Sequence, residues 1–286
     1  ASSSGCKECC WFAACRKRLV ELDDLTLIPE LGRARRDSMA AATPTVASLA
    51  EIDLTPFIRG QKTSFKGVGS KMLLRFQDRA RLITTPAAGP RLRSPMHLPR
   101  APRQIFYDIE HDPIRGLTYL HGFVERCEGQ ETYVAAFADC PSSDAERDAF
   151  AKAISYLADR PDGTLYVYSP YERTTWRRLQ QRYPEVCSLN IVEAVFARSV
   201  DLYSVVRANT DWPTYDLSIK TLATYLGFHW RDTHPSGAAS VVWYDRLISE
   251  GDLSLQQRIE AYNEDDCRAM TVLIDALSML ADAGPV

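Results

Sequence analysis

The chain has 286 residues, 45% hydrophobic and 25% charged, a globular composition with room for one large domain and a small one. No apolar run approaches the ~18 residues that span a bilayer and no signal peptide is recognised, so a cytoplasmic protein with no membrane partner is expected. Net charge is −3, but of the 34 Lys+Arg and 37 Asp+Glu, residues 1–103 hold 18 and 9 and residues 104–286 the other 16 and 28. A basic module joined to an acidic one suits a polyanion grip beside a cation site, with chance patterning as the alternative.

Residues 1–83 read as the first module. Cys6-x-x-Cys9-x5-Cys15 lets thiolates converge on one soft centre, iron-sulfur or zinc, with Cys10 or an upstream residue as fourth ligand. Incidental thiols are the other reading. The chain starts at Ala1 with this cluster close behind, so a preceding segment is expected in the intact protein. Cys127, Cys140, Cys187 and Cys267 are scattered and read as reduced, buried thiols.

Leu25 to Arg36 contains Pro29 and Gly32, which mark a tight turn between short helices, and Thr45 with Ser48 suits the start of the next helix. Such a turn resembles a helix-hairpin-helix, where backbone N–H groups meet a phosphate at Gly32 and Arg33, Arg35 and Arg36 add charge. A plain helical hairpin with a solvated arginine face fits equally. A helix expected over Ser70–Ile83 places Lys71, Arg75, Arg79 and Arg81 opposite Met72, Leu73 and Phe76. Residues 84–103 carry Pro86, Pro90, Pro95, Pro99 and Pro102 among arginines, which reads as a semi-rigid linker.

Residues 104–286 read as an α/β domain. Strands are expected over Gln104–Glu110, Leu117–Arg126 and Glu131–Phe137, then a helix over Ser143–Leu157 and a strand over Thr164–Tyr168. Helices follow near Tyr171–Arg182, Tyr203–Val206, Leu217–Leu226, Val241–Glu250 and Leu253–Leu280. Three strands, helix, strand, helix is a ribonuclease H-like order, a mixed sheet flanked by helices.

The chemistry starts at Asp108 and Glu110. Side chains of a strand alternate faces, so these two acids share one face while Tyr107 and Ile109 share the other. Like charges so close are offset by a divalent cation or by solvent at a strand end. Glu172 sits at a strand-to-helix turn, where sites of open α/β sheets gather and where a helix dipole also favours an acid. Leu255, Ile259, Tyr262, Asp266, Ala269, Leu273, Leu277 and Leu280 recur at helical steps as one buried stripe. Glu264 and Asp265 fall off that stripe and are expected in solvent, leaving Asp266 as the acid whose burial demands a partner.

Together, Asp108-x-Glu110, the acid at Glu172 and Tyr262-x3-Asp266 resemble the tyrosine-bearing branch of the DEDD exonuclease superfamily. Tyr262-Asn263-x2-Asp266 and Tyr168-x2-Tyr171-Glu172 resemble its YprB-type ribonuclease H-like domain. The chain as a whole is similar to the C-terminal part of RecB-like nucleases, where a Cys cluster and a helix-hairpin-helix precede that domain. It departs from the second motif by carrying Ser169 and Glu172 in place of Asn and a final Asp.

The resemblance implies phosphodiester hydrolysis with two Mg²⁺ or Mn²⁺ ions about 3.5–4 Å apart. Asp108 would bridge them, Glu110 and Glu172 would complete their shells, Asp266 would hold the ion carrying the attacking water, and Tyr262 would orient that water. It also implies a 4Fe-4S cluster in the intact protein, an upstream RecB-like segment and a nucleic-acid partner, DNA before RNA. The favoured activity is 3′–5′ exonuclease action on single-stranded ends, and the alternative is a catalytically silent DNA-binding module. Asp201 is expected to cap a helix and Lys220 to touch a phosphate. His111 and His121, near strand ends, are expected to serve structure before phosphate polarisation.

Overall fold

The computed structural model describes residues 11–233 and 236–284. They form two compact units. One holds the chain up to Pro95 with Asn209–Thr221; the other holds Met96–Ala208 with Leu222–Ala283.

The first unit is helical: α1 (Phe12–Glu21), α2 (Gly32–Met39), α3 (Val46–Glu51) and α4 (Ser70–Thr84). Leu25, Ile28, Leu31, Met39, Leu49, Leu73 and Phe76 make its core. The helix expected before the Pro29 turn is only a 3-10 turn over Leu25–Leu27. In the turn itself Glu30 takes φ 68° and Gly32 φ 67°. A non-glycine residue in the left-handed region costs about 1 kcal/mol, offset here because Arg35 Nη1 donates to the Glu30 carbonyl at 2.6 Å. Thr45 and Ser48 cap α3 reciprocally, each side chain accepting from the other's backbone N–H.

Two expectations change here. Arg79, placed by periodicity on a solvated face of α4, is 1% exposed, with Nε on Asp211 Oδ1 at 2.7 Å and Nη1 on the Pro29 carbonyl and Glu30 Oε2. Its counter-charges come from 49 and 132 residues away, beyond the reach of a local pattern. Within residues 84–103, Pro86–Ala88 form a 3-10 turn and Arg91–Leu92 pair antiparallel with Thr210–Asp211, so part of that stretch is ordered secondary structure.

The second unit is built on a five-stranded sheet. Its strands are β1 (Arg103–Asp112), β2 (Leu117–Cys127), β3 (Gln130–Phe137), β4 (Thr164–Val167) and β5 (Ser199–Asp201), in spatial order β3-β2-β1-β4-β5. β3, β2 and β1 run antiparallel as a meander, while β4 and β5 lie parallel to β1 and to each other. Helices connect them: α5 (Ser143–Ala158), α6 (Tyr171–Arg182) and α7 (Leu189–Ala197), then α8 (Leu202–Asn209), α9 (Ile219–Tyr225), α10 (Gly237–Glu250) and α11 (Leu253–Ala283). The mixed sheet flanked by helices is the expected ribonuclease H-like architecture. α7 and β5 are additions to the expected elements.

Period-two alternation in β1 sorts its two faces. Ile105, Tyr107 and Ile109 pack with Phe150 of α5, Trp176 of α6 and Val192 and Phe196 of α7. α11 lies against β1 and β2. Its stripe is buried at Leu255, Ile259, Tyr262, Ala269, Leu273 and Leu277. Cys187 and Cys267 are buried as expected, whereas Cys140 is exposed. Among the described residues no helix is long and apolar enough to cross a membrane.

Candidate metal centre

Asp108 and Glu110 come from β1, two residues apart on one face, and the ladder with β2 shifts register just after Glu110. A bulge at that point re-aims the end of the strand. Asp266 comes from α11. One carboxylate oxygen from each of these three residues lies within 4.8 Å of the others. Asp108 accepts from Asn263 Nδ2 at 2.9 Å and Asp266 from Trp230 Nε1 at 2.7 Å. Three hard oxygen donors converging at this distance suit Mg²⁺ or Mn²⁺, which take carboxylate oxygens, rather than a soft metal.

Tyr262 stands one turn before Asp266 on α11, 3% exposed and hydrogen-bonded to the Asp266 side chain. Burial, with the charges of Asp266, Glu110 and Asp108, raises its pKa far above the ordinary phenol range. The hydroxyl therefore keeps its proton at neutral pH and can orient a bound group without taking a proton from it.

The neighbours of Asp266 overturn one expectation. Asp265, expected in solvent, is 3% exposed and receives the Arg231 backbone N–H and Nε, both at 2.8 Å. Glu264 takes another nitrogen of the same guanidinium at 2.7 Å. Arg231 stands 34 residues upstream of Asp265, so the helical stripe alone did not reveal the pairing.

Glu172 is buried at 4% exposure in the first turn of α6 and is not among the three converging acids. Ser169 Oγ lies 3.4 Å from its Oε2. Burial pushes its pKa up to about 7, and the charge of Asp201 adds to the rise. Asp201 caps α8 by accepting from Ser204 N–H and Oγ.

The remaining candidates lie elsewhere. His111 contacts Thr118 Oγ1 at 3.2 Å, and His121, wholly buried, contacts the Tyr107 hydroxyl at 2.7 Å. Burial lowers the His121 pKa to about 3, so that ring stays neutral. Gly32, Arg33, Arg35 and Arg36 are in or beside the α2 turn of the first unit and Lys220, at the start of α9, is assigned to that unit, whereas the three acids belong to the second unit. Arg35 is engaged by the Glu30 and Gly67 carbonyls, and Arg36 by the buried Asp24 and by Asp37; Arg33 is exposed. Cys6, Cys9 and Cys10 fall outside the described residues, and Cys15 is exposed in α1.

Sequence reasoning did not assign roles to Trp230, Asn263 and Gly122. A glycine inside the apolar run of β2 was the available signal, since glycine there marks a close approach.

No curated protein and no solved structure matches the chain. A family model described as RNase_H superfamily matches residues 105–278, from β1 through most of α11. That match takes in more than half of the chain and all five strands of the sheet, and the chain belongs to the RNase H superfamily.

Proposed function

We propose that the second unit is a metal-dependent nuclease of the tyrosine-bearing DEDD type. The observation that carries this reading is the convergence of Asp108, Glu110 and Asp266 within 4.8 Å, with Tyr262 bonded to Asp266. Asp108, Glu110 and Asp266 would hold the divalent cations, with Glu172 as a further ligand reached by a side-chain or helix-end adjustment. Bound cations would make a water nucleophilic at neutral pH and stabilise the leaving 3′ oxygen. Tyr262, its proton held toward Asp266, would align the attacking water by accepting from it at the phenol oxygen. The favoured substrate is DNA with single-stranded ends, trimmed 3′ to 5′.

The same reading extends to the rest of the chain. The Cys6, Cys9 and Cys15 set would hold a 4Fe-4S or zinc centre completed in a longer, RecB-like protein. Residues 1–83 would form a grip module, residues 84–103 a connection and residues 104–286 a YprB-type nuclease domain, acting in the cytoplasm. For the grip, the left-handed Glu30 supports a helix-hairpin-helix: it supplies the conformation that a second hairpin glycine would otherwise provide.

One observation favours the silent-module alternative. Glu172 stands apart from the three acids, in a buried setting that raises its pKa to about 7. A labelled-oligonucleotide assay with Mg²⁺, Mn²⁺ or EDTA separates the readings. Metal-dependent shortening that Asp108→Asn reduces on the order of a thousandfold supports the nuclease. DNA binding with no cleavage in either metal supports the silent module.

A further inference from the structure

Gly122 of β2 lies directly opposite Asp108 in the β1–β2 ladder, so a side chain there would stand beside Asp108 on the same face. A Cβ at Gly122 would fall 1.5 Å from Asn263 Oδ1 and 2.9 Å from the Tyr133 hydroxyl oxygen. No rearrangement short of moving the asparagine admits it. The space that a cross-strand side chain would fill is therefore a socket for the Asn263 amide, which enters from α11 and is wholly buried.

Both ends of that amide are used. Asn263 Nδ2 donates to Asp108 Oδ2 at 2.9 Å, and Asn263 Oδ1 accepts from the Tyr133 hydroxyl at 3.0 Å. An ionised carboxylate only accepts, so a reversed amide would set oxygen against oxygen at Asp108 and leave Tyr133 facing a donor. The acceptor-only carboxylate thus sets which way the amide points, and the Tyr133 hydroxyl, donating to the amide oxygen, holds the amide in the place that sets the rotation of the Asp108 carboxylate about its Cβ–Cγ bond. A simple close packing of α11 on the sheet would be met by alanine at this position. Only a flat group with a donor at one end and an acceptor at the other links Tyr133 to Asp108.

We propose that Asn263, held by Tyr133 and admitted by Gly122, is the positioning residue that presets the Asp108 carboxylate toward Glu110 and Asp266. This rests on the reading of Asp108 as a cation ligand. Asn263 touches no reacting atom and acts through Asp108 alone.

The test measures Mn²⁺ binding to the full chain by electron paramagnetic resonance, beside cleavage as a function of Mn²⁺ concentration. Asn263→Ala is expected to weaken Mn²⁺ binding about tenfold or more, the usual scale for a residue that orients a ligand. Raised Mn²⁺ should restore its turnover, because the group lost positions a ligand and leaves the ligand itself in place. Tyr133→Phe should weaken binding by a smaller factor in the same direction. A purely structural role would lower turnover in Asn263→Ala without moving the Mn²⁺ requirement. Should Asn263→Ala fail to fold, Tyr133→Phe, which removes one hydroxyl from a half-buried residue, decides alone. Mn²⁺ binding unchanged in both variants while Asp108→Asn abolishes it would overturn the positioning role and leave the metal site standing. Wild-type protein that binds no Mn²⁺, or Asp108→Asn that binds it as well as wild type, would remove the metal reading and this inference with it.

Discussion

Charge is handled in opposite ways in the two units. Around Asp211 in the first, like charges are interleaved with unlike ones: Arg75 and Arg79 share Asp211 Oδ1, both also reach Glu30, and Arg93 approaches from the other side. Around Asp108 in the second, three acids face one another, and neutral groups, the Asn263 amide and the Trp230 indole, are among their donors. The step from Asp265 to Asp266 shows the same contrast within one helix, since Asp265 has Arg231 and Asp266 joins the cluster. Matched charge serves the fold, whereas like charges gathered at one point store repulsion that a cation would relieve.

Stability measurements can break this comparison directly. Asp211→Ala strips one of two carboxylates from a guanidinium that is 1% exposed, leaving Glu30, and should cost about 3 kcal/mol in denaturant unfolding, the scale for a broken buried ion pair. Asp108→Asn, measured in EDTA, should leave stability unchanged or raise it, because one of three mutually repelling charges is gone. Equal losses in the two variants would erase the distinction between them.

Glu172 sharpens the comparison through pH. Its folded pKa of about 7 lies above the ordinary 4.5, so the folded state holds a proton that the unfolded chain has released between those values. Its contribution is fully present below pH 4.5 and is lost as pH rises through 7, an effect on the order of 3 kcal/mol. His121, depressed to about 3, works in the opposite sense: its contribution is lost as pH falls below the usual imidazole value. The two slopes partly cancel in the wild type, so the difference from Glu172→Gln isolates the glutamate. In EDTA that variant should be the more stable protein at pH 8 and indistinguishable at pH 4. Added Mn²⁺ should close the gap at pH 8 if Glu172 is a ligand and leave it open otherwise.

The smallest expected effect belongs to the arginines of the α2 turn. Arg35 and Arg36 are half-buried, and Arg33, the most exposed of the three, is the probe of a phosphate contact. Arg33→Ala should flatten the salt dependence of duplex binding by about 0.9 in log–log slope, with melting unchanged. An unaltered slope would move the grip away from this turn.

Local patterns carried much of this architecture. The period of two at Asp108 and Glu110, the three-strand opening and the long helical stripe through Tyr262 were legible because each depends on neighbours within a turn or a strand. Asp266 was chosen by a burial argument that in fact applies to Asp265, whose Arg231 partner no helical period announces. The same limit hid Arg79, paired with Asp211, and the strand at Arg91–Leu92, paired with Thr210–Asp211. Ser199–Asp201 is a strand by virtue of β4 beside it, and three residues carry too little pattern to be read alone. Asn263 was visible as part of a motif, but its role depends on the missing side chain of Gly122 across the sheet.

The pairing of Arg91–Leu92 with Thr210–Asp211 has a consequence for how the protein is made. The first unit is encoded first, yet its strand partner and one counter-ion of its buried arginine arrive only after some three-fifths of the remaining chain, including all five strands of the large sheet, has left the ribosome. Domains that are continuous in sequence can close in order of synthesis. This one must wait, with Arg79 lacking one of its two carboxylate partners, until the later segment returns to it. A nascent chain stalled at Pro95 would hold an unfinished helical unit, open to a chaperone in that state.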